Sequence, residues 1–77
     1  MKTIHTYTYP FAGVTRLTIE GDSFVIVADE DDRPGVDGKV TVTSRGTDLL
    51  AFNHTYAHGA ARTMATLITD SDKEYAS

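Results

Sequence analysis

The stretch Thr47-Asp48-Leu49-Leu50-Ala51-Phe52-Asn53-His54-Thr55-Tyr56-Ala57-His58-Gly59-Ala60-Ala61-Arg62-Thr63-Met64-Ala65-Thr66-Leu67-Ile68 decides the fold. Wound at about 3.6 residues per turn, its apolar residues Leu49, Leu50, Phe52, Tyr56, Ala57, Ala60, Ala61, Met64, Leu67 and Ile68 fall on one broad face. His54, Thr55, His58, Arg62 and Thr66 fall opposite. The pattern predicts an amphipathic helix lying across an apolar sheet. Thr47 is a good N-cap, and Asp48 suits the first turn beside the helix dipole. Asp70-Ser71-Asp72 are poor helix formers and are expected to end the helix near Thr69, leaving residues 73–77 as a disordered tail.

The same stretch has a second reading. Leu49 to Tyr56 also reads as a fifth strand, with Asn53 or Thr55 capping a shorter helix. Gly59 inside the long helix costs about 1 kcal/mol relative to Ala. Asn53 sits in the middle of the long helix's apolar face, which the shorter helix explains.

Upstream, short runs alternate with period two. Thr3 to Tyr9 is rich in Thr, Tyr and Ile and reads as a strand. Pro10-Phe11-Ala12-Gly13 reads as a turn. Val14 to Glu20 places Thr15, Leu17 and Ile19 on one side and Arg16, Thr18 and Glu20 on the other. Gly21-Asp22 supplies a tight reversal. In Ser23 to Ala28, Phe24, Ile26 and Ala28 point one way, Val25 and Val27 the other. Asp29 to Gly38 reads as a long polar loop around Arg33-Pro34-Gly35. Lys39 to Ser44 alternates again, with Val40 and Val42 toward the core. Short connections favour an antiparallel meander. The expected architecture is α+β: an antiparallel four-stranded meander, or five strands on the second reading, with one C-terminal amphipathic helix on one face. A chain of 77 residues makes one domain, residues 1–77.

Composition narrows the function classes. There is no cysteine, so no disulfide framework or thiolate metal site is expected. The first residues have no apolar core of a secretory signal, and no apolar run approaches the about 18 residues that span a bilayer. A cytoplasmic protein without membrane partners is expected. The net charge of −4, from 11 acidic and 7 scattered basic residues, argues against direct nucleic-acid binding.

Candidate chemistry is sparse. The acidic run Asp29, Glu30, Asp31, Asp32 invites a calcium loop, but Arg33 and Pro34 interrupt it and Val40 stands where the closing Glu belongs. His54 and His58 have the spacing of a helical metal pair, yet no third ligand follows and Arg62 is close by on the same face. There is no glycine-rich phosphate loop and no nucleophile motif. The expectation is a non-enzyme without metal or cofactor.

What the sequence offers instead is surface. One helix covers one sheet face, so the other should carry Val25 and Val27 with Tyr7 and Tyr9. Contiguous apolar and tyrosine surface usually marks an interface. The acidic run Asp29 to Asp32 adds a site for a basic protein surface. The expected function is protein binding, with Tyr7, Tyr9, Val25, Val27, Asp29, Glu30, Asp31 and Asp32 as partner-binding residues. The alternative is a structural homodimer pairing through the open face; a small metal-dependent enzyme is the third class. In size, charge and lack of cysteine alone, the chain resembles the small acidic inhibitors that mobile elements carry against host nucleic-acid-handling complexes, anti-CRISPR proteins among them.

Overall fold

The computed structural model describes residues 4–76. They form five strands and a helix: β1 (His5–Phe11), β2 (Val14–Glu20), β3 (Val25–Asp31), β4 (Gly38–Ser44), β5 (Thr47–His54) and α1 (Ala57–Ala76). The strands make one sheet in the order β1-β2-β3-β4-β5, each antiparallel to its sequence neighbour. The helix lies across one face of that sheet, mainly on β3, with lesser contact to β4, β2 and β5. The α+β meander expected from the sequence is therefore present, in its five-strand form.

The long helix from Thr47 is not. Arg45 and Gly46, both at positive φ (52° and 81°), form a two-residue hairpin turn that sends Thr47 back along β4. Positive φ at both central residues gives the turn whose twist matches paired strands. The register then sets Leu50 beside Val42 and Phe52 beside Val40, on the core side. A short apolar run satisfies both periods, and the turn chemistry breaks the tie. Leu49 falls at a register shift in this ladder and is 61 % exposed.

The other boundaries also move. Pro10 and Phe11 belong to β1, and the β1–β2 turn is the pair Ala12 and Gly13 (φ 53° and 80°). Strand β3 continues through Asp29, Glu30 and Asp31, so the expected ten-residue loop shrinks to residues 32–37. The helix runs to Ala76, past the stop expected at Asp70-Ser71-Asp72. Those residues cost only tenths of a kcal/mol each, and no Gly or Pro follows them. Thr3 of the first expected strand and Ser77 of the expected tail lie outside the described residues.

The core is the alternation seen in the sequence. Leu17, Ile19, Phe24, Ile26, Ala28, Val40 and Val42 are buried on the helix side. Ala57, Ala61 and Ala65, one helical turn apart, face them and are buried in turn. Small side chains there let the helix sit close to the sheet. Fully burying a Val, Leu, Ile or Phe contributes about 1.5–3 kcal/mol, so Leu17, Ile19, Phe24, Ile26, Val40 and Val42 carry most of the apolar stabilisation. Ala60, Met64 and Ile68 are partly buried against this cluster. Leu67, placed on the apolar face by its spacing, is 62 % exposed instead.

Candidate functional site

The sheet face away from the helix is assembled by the strand register. Directly paired residues share a face, which defines three rows across the strands. One row is Tyr9, Arg16, Asp29, Lys39 and Asn53; the next is Tyr7, Thr18, Val27, Thr41 and Ala51. The third is His5, Glu20, Val25, Thr43 and Asp48. The structure thus brings Tyr7, Tyr9, Val25 and Val27 onto one face, opposite the core. Tyr7 is 52 % and Tyr9 47 % exposed, while Val25 and Val27 are half-buried among their sheet neighbours.

The acidic run does not form one tip. Alternation in β3 sends Asp29 and Asp31 to the open face and Glu30 to the helix side, and Asp32 enters the turn. Each has a partner within the chain. Arg16 donates to both oxygens of Asp29, from Nε at 2.7 Å and from an Nη at 2.9 Å. Hydrogen bonding to Arg16 holds the Asp29 carboxyl below its ordinary range, against a smaller opposing effect of desolvation. The bonds that Arg16 donates to Asp29, and then to the Tyr9 oxygen, raise its guanidinium further above its usual value. Arg33 closes on Asp31 in the same bidentate way, at 3.0 Å twice, and its backbone N–H adds a third bond at 2.9 Å. These bonds bring the Asp31 carboxyl down to about 2. Thr15 donates to Asp32 at 3.4 Å. Glu20 and Asp48, on the third row, stand without an ion-pair partner among the described residues.

Glu30 has a structural task that the sequence does not announce. The helix carries no acidic residue in its first turn. Glu30 Oε1 accepts the backbone N–H of His58 at 3.2 Å, so a carboxylate on β3 caps the helix. The first amides of a helix lack internal partners, and the dipole favours a negative group there. Thr55 does not cap: its hydroxyl donates to Asp37 at 2.7 Å. His58 is half-buried rather than on an outer helix face. Its Nε2–H donates to the Thr15 carbonyl at 2.7 Å, tying the helix start to β2. His54 ends β5, where its Nδ1 accepts the Tyr56 N–H at 2.9 Å. The two histidines therefore do not share a helix. Among the described residues no group of three or more His, Asp or Glu side chains is placed to hold a metal ion.

A shallow cavity of about 430 Å³ opens on the free face, lined by Tyr9, Ala12, Val14, Arg16 and Asp29. Its walls are mostly apolar, and its charged groups are spent on one another. It offers a recess for a side chain more than a constellation for bond making. No helix among the described residues is long and apolar enough to cross a membrane. Searches against family models, curated proteins and solved structures return no match for this chain or its fold.

Proposed function

We propose that the chain is a non-catalytic binding protein that seats its open sheet face on a larger protein and acts by occlusion. One observation carries this reading. Tyr7 and Tyr9 of β1 stand exposed on the same face as the half-buried Val25 and Val27 of β3, with Arg16, Thr18 and Glu20 of β2 between them, and the helix does not cover that face. Tyrosine joins a large apolar body to a polar tip and is enriched at interfaces for that reason. The recess beside Tyr9 would receive a side chain of the partner. Asp29 and Asp31 are neutralised by Arg16 and Arg33, so Glu20 and Asp48 are the better anchors for basic groups on the partner.

The test is site-specific photo-crosslinking in the native host, with the probe at Tyr7 and a control probe at Arg62 on the exposed side of the helix. A discrete crosslinked protein is expected from Tyr7 alone. It should vanish in Val25→Lys with Val27→Glu, while circular dichroism stays native. Equal labelling from both probes, or none from Tyr7, would refute the reading. A crosslink from Tyr7 to the chain itself that is also lost in Val25→Lys with Val27→Glu would favour self-association through this face.

A further inference from the structure

We infer that β1 is a pairing edge for a second copy of the chain, joined antiparallel about a two-fold axis at Tyr7. The inference rests on the edge of the sheet and does not depend on the binding-face reading.

Among the described residues, strand β1 is paired on one side only, by β2, and the helix does not reach it. Residues 4–10 are exposed. The turn identifies which backbone groups are free. With two residues in the Ala12-Gly13 turn, Phe11 and Val14 form the hydrogen-bonded pair that closes the hairpin. Alternation then directs the backbone groups of Pro10, Thr8 and Thr6 away from β2. Pro10 thus occupies an outward position, where its missing N–H removes no bond from the sheet.

Sheet edges normally carry a safeguard, such as charge, a bulge or a cover. The opposite edge, β5, has Asp48 and a register shift between Val42 and Thr43. From Ile4 to Phe11 there is no Lys, Arg, Asp or Glu, and the seven β1–β2 pairs run without a break. The strand is long, uncharged and regular, which is what an incoming strand requires.

Its sequence also suits its own reverse. A two-fold at Tyr7 sets Tyr7 against its counterpart, His5 against Tyr9, Thr6 against Thr8 and Ile4 against Pro10. The open face then gains a row of aromatic pairs and the helix side gains Thr–Thr pairs, both favourable across strands. No like charges meet. Thr6 and Thr8 exchange both of their free N–H and C=O groups, and Pro10 is used only as an acceptor at the end. Centring on Thr8 would set Pro10 against Thr6 and waste an acceptor in the middle. The axis stands perpendicular to the sheet, so the result is one continuous sheet with both helices on one side and both open faces on the other. An edge interface is small, so the dimer should form with rising concentration.

Amide exchange measured by NMR on the unaltered protein tests this directly. At high concentration the Thr6 and Thr8 amides should slow by about tenfold or more, as for amides drawn into a ladder. In sedimentation equilibrium, Thr8→Pro should be monomeric at every concentration, because it removes an outward donor and no β1–β2 bond. Val27→Lys should leave the dimer intact. Equally fast exchange of both amides at low and high concentration would overturn the inference. So would a dimer that survives Thr8→Pro and is lost in Val27→Lys, which would place self-association on the sheet face. If Thr8→Pro fails to fold, the exchange result on the unaltered protein decides alone.

Discussion

Gly38, the first residue of β4, should tolerate no side chain. A Cβ there would run into the Asp29 carbonyl oxygen, and it would lie 3.0 Å from Glu30 Cα and 3.1 Å from the Ala57 methyl. Two of these are backbone atoms, and the third belongs to the buried start of the helix. Gly38→Ala must therefore part β3 from β4 or lift the helix from the sheet. Overpacking a tight site costs about 1–3 kcal/mol. Lifting the helix also strains the His58 bonds to Glu30 and Thr15, each contributing about 1 kcal/mol. The expected loss is about 3 kcal/mol, out of a total of roughly 4–11 kcal/mol for a chain this size. With a urea slope near 1 kcal/mol per molar, the midpoint should fall by about 3 M. Gly59→Ala is the internal control. Its nearest neighbour, Tyr56 Cβ, is 4.0 Å away, and alanine suits a helix better by up to about 1 kcal/mol. The two substitutions are chemically identical and should move the midpoint in opposite directions. A Gly38→Ala protein within about 0.5 kcal/mol of the parent, the range of an ordinary surface change, would refute the account of the helix–sheet contact.

Other consequences can be measured in the same way. Glu30→Ala should cost about 1–2 kcal/mol, the usual worth of a helix cap, and Glu30→Gln less because it keeps an acceptor; unchanged urea midpoints would remove Glu30 from that role. Arg45→Asn should stabilise by about 0.5–1 kcal/mol in thermal melts, since Arg45 holds φ 52° and asparagine adopts that region more readily; a lower melting temperature would contradict the turn assignment. The Asp31 carboxyl is depressed from 3.8 to about 2 by Arg33, so its contribution is complete above pH 3.8 and is lost as the pH falls through about 2. Asp31→Asn should therefore flatten the stability curve across that window, and an unchanged acid limb would show that the Arg33 pair contributes nothing.

How much of this was legible in the sequence depended on whether a residue's neighbours are near in the chain. Leu17 with Ile19, Ile26 with Ala28, and Val40 with Val42 carry the period of two, and all are buried as their spacing predicts. Val25 and Val27 landed opposite for the same reason. Strand β5 is one of two readings of its stretch because Leu50 and Phe52 suit either period, and the signal that decides for it is Arg45-Gly46 as a hairpin turn. Acidic residues have poor strand propensity, so β3 was cut short at Ala28; Arg16 opposite Asp29 is what sustains the strand, and that pairing needs the register. Glu30 as cap and His58 as tie meet partners 28 and 43 residues away, beyond any local pattern. The open face was legible as geometry; what sits on it was not.

The succession of neighbouring hairpins also bears on how the chain folds. Every strand pairs with the one next to it in sequence, so no pairing has to close a long loop. The distant contacts belong to helix docking, fastened where His58 meets Glu30 and Thr15. Topologies dominated by nearby contacts cross a lower entropic barrier and fold faster than sheets with crossovers. Strands β2, β3 and β4 should assemble before the helix settles, with Ile26 and Val40 giving high φ-values and His58 a low one. The bonds made last would then govern how fast the protein opens, so weakening the helix start should speed unfolding and leave the folding rate almost unchanged.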